Sequence, residues 1–145
     1  MTVKTQRARR VLNDARFALE KFKENPIDVD FRHLVVLCCV LIRTVGDALK
    51  KENEEDKINL KKQNDYYKKV ISSDNLYTNF IKSSRDSIIH EYIARIEWES
   101  NTDLEKNHSM EYLMKEGIFK GNDFRELVGQ SIEFWEKHLT LIENI

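Results

Sequence analysis

Apolar residues recur at steps of three and four near the start of the chain: Ala8, Val11, Leu12, Ala15, Ala18, Leu19 and Phe22. That spacing is one face of an α-helix, and Asn25-Pro26 ends it, since proline has no N–H to continue the ladder. The next apolar block is denser. It holds Phe31, the unbroken nine-residue run 34–42, Val45 and Leu49. A helix apolar on nearly every side belongs inside, so this segment, capped by Asp28 or Asp30, is expected at the centre. A membrane span needs roughly 20 apolar residues, which this run does not reach.

Beyond it the pattern weakens. Residues 50–57 (KKENEEDK) are a charge run, read as the solvated end of the central helix or a connection. A more polar third helix is expected over 58–71, followed by a turn and cap in Ser72-Ser73-Asp74-Asn75. The stretch 76–98 is helical in composition but less regular. From 99 to 122 the helical signal fades. Short alternations at 96–99 and 110–114 predict a small hairpin or extended arm around residues 95–115. The last helix is marked by an Asp123/Glu126 capping box and an apolar stripe of Phe124, Leu127, Val128, Ile132, Trp135, Leu139 and Ile142. The whole chain, 1–145, therefore reads as one all-α domain, a compact bundle of four to five helices.

Composition agrees. Four glycines and one proline in 145 residues leave little for the turns of a β-sandwich, and 34% charged residues suit solvated helix faces. A net charge of −1 gives no bulk attraction to nucleic acid or membrane, so any such binding must be local. Lys4, Arg7, Arg9 and Arg10 have no apolar stretch behind them, so neither a secretory signal nor a membrane anchor is expected. Cys38 and Cys39 lie inside the apolar run as inert thiols, and a reducing cytoplasm is the expected compartment.

Few motifs carry chemistry. A Gly-rich phosphate loop, a Cys-x-x-Cys pair and a His-Glu-x-x-His are all missing, and histidines 33, 90, 108 and 138 have no metal-ligand spacing. No metal or cofactor is expected. The pairs Tyr66-Tyr67 and Phe134-Trp135 sit at core spacing and read as packing, while His138 is expected at the last helix's C-terminal turn. One segment stands apart: Ser84-Arg85-Asp86-Ser87-Ile88-Ile89-His90-Glu91-Tyr92. An arginine followed loosely by a histidine has roughly 0.7 chance occurrences in such a chain. Fixing the gap and adding the tyrosine lowers that to roughly 0.01.

Arg85-x-x-x-x-His90-x-Tyr92, with Asp86 in the polar slot, resembles the HEPN superfamily of small helical proteins, and in its tyrosine the HepT group of toxins. The resemblance implies a metal-independent endoribonuclease that cleaves single-stranded RNA through its 2′-hydroxyl, as a toxin or anti-phage effector. It also implies a homodimer that joins two motif copies in one cleft. Arg85 and His90 are then catalytic, and Asp86 orients His90 or touches RNA. Tyr92 becomes the target of AMP transfer by a nucleotidyltransferase antitoxin, or a substrate contact. The residues leave other readings open. His90 and Tyr92 also fit an ordinary helix whose Arg85 pairs with Asp86 or Glu91. The chain would then be a helical dimer that binds a nucleotide or a protein, or a regulatory subunit with an inactive cleft.

Overall fold

The computed structural model describes residues 2–91, 96–100 and 110–145, without the side chains of 89–91, 96–100 and 110. It is an all-α bundle of five helices carrying one small hairpin. Helix α1, Gln6–Phe22, buries the expected stripe: Ala8, Leu12, Ala15, Ala18 and Phe22 are all inside. Helix α2, Asp28–Asn53, is the central element, packed against α1, α4 and α5. Its start departs from expectation. Ile27 is the N-cap residue and no side chain caps the helix, so neither Asp28 nor Asp30 does so. The corner is made instead by left-handed backbone at Asn25 and Asp28, φ 59° and 51°.

The charge run splits as its composition suggests. Lys50 to Asn53 close α2, and Asp56 then caps α3, Lys57–Tyr66, by accepting from the N–H groups of Ile58 and Asn59. Inside that polar stretch, however, Asn53 is buried. Its Nδ2 donates to the carbonyls of Lys4 and Leu49, both at 2.8 Å, and its Oδ1 accepts from Lys4 N–H at 2.8 Å. The asparagine thus pins the N-terminal segment to the end of α2.

The third helix runs to Ile71 as expected, but its last turn, Tyr67–Ile71, is π-helical. Asp74 caps the next helix through Leu76 and Tyr77 N–H, and a second π segment, Tyr77–Lys82, leads directly into α4, Ser83–Glu91. The helix expected to continue to Trp98 ends earlier. Strand β1, Ile96–Ser100, pairs antiparallel with β2, Met110–Met114, so the hairpin exists, with Trp98 opposite Tyr112.

Helix α5, Phe124–Glu143, carries the expected stripe. Its cap is half a capping box. Asp123 accepts from Arg125 N–H at 2.8 Å and, through its other oxygen, from Tyr112 N–H at 3.2 Å, without a return bond to Glu126. The cap therefore also holds β2. Tyr112 is fully buried, stacks on Phe31 and donates its hydroxyl to the Pro26 carbonyl at 2.7 Å. Trp135 donates to the Ile42 carbonyl at 2.6 Å, tying α5 to α2. Among the described residues no helix is long and apolar enough to cross a membrane.

Candidate functional site

The motif lies on α4, which packs on α2. Arg85 donates from one terminal nitrogen to Asp86 Oδ1 at 3.2 Å, and the two side chains are 32% and 39% exposed. Both are therefore open to solvent, and four of the five guanidinium donors remain available. His90 lies on the same helix, but its side chain falls outside the described ones, and Tyr92 lies outside the described residues altogether. The backbone of α4 is unbroken α-helix from Ser83 to Glu91. The π irregularity ends one residue before it, so no kink falls between Arg85 and His90. At about 100° per residue the two Cα–Cβ bonds diverge by about 140°. Within one chain, only the length of the arginine side chain can bring the two groups to one substrate.

A second ion pair faces the first across a buried phenol. On α2, Arg43 reaches Asp47 Oδ1 at 3.5 Å, and its guanidinium lies 5.7 Å from the centre of the Tyr77 ring. Tyr77, on the second π segment, is 2% exposed, and its ring meets Tyr67 and Trp135 edge-on. Burial raises the Tyr77 phenol above its ordinary value. Arg43 and Arg85 oppose that shift, and Asp47 and Asp86 add to it. The hydroxyl thus lies within the fields of both pairs, and the two helices present four charges around one neutral tyrosine. Reasoning from the motif alone misses Arg43, Asp47 and Tyr77. The available signal was an Arg/Asp pair at i,i+4 interrupting an otherwise apolar helix.

The remaining candidates resolve as packing. Trp135 is fully buried and Phe134 nearly so, and Tyr66 donates to or accepts from His138 Nδ1 at 2.7 Å. His138 is 6% exposed and lies more than a turn before the end of α5, so it does not serve the C-terminal turn as expected. Its apolar surroundings lower its affinity for a proton, with Lys137 acting in the same direction. Cys38 and Cys39 are both fully buried. Burial pushes the Cys38 thiol up to about 12 and Cys39 well above its ordinary value.

No family model, curated protein or solved structure matches this chain. The functional argument rests on the residues themselves.

Proposed function

We propose that this chain is a metal-independent endoribonuclease of the HEPN type, acting on single-stranded RNA in the cytoplasm as a toxin or anti-phage effector. The observation that supports it is the motif's setting. Arg85 and Asp86 stand partly exposed on an unbroken helix that also carries His90, and the guanidinium is not consumed by the core. Cleavage through the RNA's own 2′-hydroxyl requires a base at that oxygen and an acid at the departing 5′-oxygen, on opposite sides of phosphorus. Imidazole suits either task near neutral pH, but one ring cannot perform both at once. A two-fold dimer with both α4 motifs in one cleft supplies two copies of His90. It also supplies two copies of Arg85 for the charge that builds on the phosphorane oxygens. The same arrangement answers the 140° divergence, because the Arg85 of one subunit then works beside the His90 of its partner.

In this reading the 2′-oxygen bonds to phosphorus as its proton passes to one imidazole. The P–O5′ bond breaks as the other imidazolium donates a proton, leaving a 2′,3′-cyclic phosphate and a 5′-hydroxyl. Asp86 restrains Arg85 and is placed to orient His90 or meet the RNA. Tyr92, two residues past His90, is the acceptor for AMP from a nucleotidyltransferase antitoxin, a bulky anionic block at the cleft.

The test uses the purified protein, labelled single-stranded RNA and excess EDTA. Cleavage should persist, leave cyclic phosphate ends and spare DNA, which lacks the attacking hydroxyl. His90→Ala should lower the rate about 10²–10⁴-fold, the range for a lost acid–base group, and Arg85→Ala comparably, with circular dichroism and melting temperature unchanged. Tyr92→Phe should cleave like wild type and resist AMP transfer. If His90→Ala cleaves as well as wild type, or unfolds, the nuclease reading fails. RNA that is bound and never cut would point instead to a binding module.

A further inference from the structure

Away from the motif, α2 and α3 enclose a cavity of about 200 Å³ beneath Lys50. At about 30 Å³ per liquid water it has room for about six or seven molecules, far more than one bridging water or one small ion. Its walls are polar in an unusual way. Gln63 is only 2% exposed, yet its side-chain Oε1 has no hydrogen-bond partner, and the buried Nε of Arg43 has none either. Buried polar groups are rarely left unpaired, because nothing replaces the water they gave up. Gln63 makes no hydrogen bond through its side-chain nitrogen, so a half-turn about its terminal torsion presents either oxygen or NH2 to the cavity. Gly46 keeps the floor open. A Cβ there would stand 3.3 Å from the Tyr67 ring and 3.6 Å from the Arg43 guanidinium.

We propose that this cavity binds a nucleotide, its base edge paired with the Gln63 amide, its ring against Tyr67 and its phosphate held by Lys50 and Arg43. Each part follows from the lining. A freely turning buried amide matches a group that offers a donor beside an acceptor, as the edge of a nucleobase does. Tyr67 provides an aromatic surface at the same cavity. Two cations at the mouth suit an anion, and Asp47, 58% exposed, is available to accept from ribose hydroxyls. The ligand can be a free mononucleotide or one nucleotide of a single strand. The inference stands apart from the nuclease reading, since it uses neither Arg85 nor His90.

The test measures binding by calorimetry and thermal shift, using AMP, GMP, CMP and UMP, inorganic phosphate, and a 2′-O-methylated RNA oligonucleotide that cannot be cut. At least one mononucleotide or the oligonucleotide should bind and raise the melting temperature, and phosphate alone should bind at least tenfold more weakly. Gln63→Met, which replaces the unpaired amide with a group of similar shape, should melt no lower than wild type and weaken binding at least tenfold. Lys50→Glu, at an exposed position, should do the same. Mononucleotide binding identifies a free nucleotide as ligand, and binding of the oligonucleotide alone identifies a strand. The proposal is overturned if neither binds, if phosphate binds as well as the nucleotides, or if both variants bind like wild type. His90→Ala should bind unchanged, so loss of cleavage and loss of this site are separately visible.

Discussion

At the scale of single residues, burial and pairing decide what each side chain can do. Tyr112 donates to the Pro26 carbonyl from a fully buried position. Tyr112→Phe leaves that carbonyl without its partner and should cost about 1–2 kcal/mol, read as a lower urea midpoint with an unchanged slope. His138 behaves differently. Its proton affinity is lowered in the folded state, chiefly by burial, so below its ordinary value of 6.5 the unfolded chain binds more protons. Its stability contribution is therefore present above about pH 6.5 and lost as pH falls below it. His138→Gln should flatten the dependence of stability on pH between 7 and 5; an unchanged slope would show that His138 is not its source. Cys38 and Cys39 should ignore a thiol reagent in the folded protein and both react in guanidinium chloride.

At the scale of elements, regular helices and the short joints between them were legible to different degrees. Helices α1, α2 and α5 announce themselves because many residues repeat one period, so a misleading position or two is outvoted. The π segments at Tyr67–Ile71 and Tyr77–Lys82 have no such signature. They accommodate one extra residue per turn where Tyr67, Tyr77 and Trp135 converge, a demand of packing between helices that no local spacing encodes. Asn53 is similar. Its neighbours in sequence are charged, yet it closes three hydrogen bonds that anchor the chain before α1. Asn53→Ala orphans Lys4 N–H and the Lys4 carbonyl at a part-buried site and should cost about 2–3 kcal/mol. Hydrogen exchange should report it first at residues 3–7, before α2 itself loosens.

At the scale of the molecule, α2 is largely covered within its own chain, with Leu37 the large apolar residue most exposed in the middle of that helix. Apolar surplus is therefore a weak motive for dimerisation, and the chemistry is the stronger one. Two imidazoles from two subunits should make activity fall as the square of the wild-type fraction when wild-type and His90→Ala chains are unfolded together and refolded as mixed dimers. A linear fall would mean that each subunit cleaves alone. A monomer mass by light scattering at micromolar concentration would argue against the shared cleft directly.

The sequence by itself determined the helices that carry long apolar stripes, the position of α2 at the centre, the hairpin near 96–114 and the segment 85–92 as the place to look for chemistry. Those features are written in spacing along the chain. Tertiary structure alone decided that Arg85 pairs with Asp86 and that Arg43, Asp47 and Tyr77 gather beside them. It alone left Gln63 buried without a partner and set His138 against Tyr66. These groups come from positions up to about a hundred residues apart. Their proximity follows from how four helices pack around α2, a cooperative outcome of shape and burial that no local window of sequence contains.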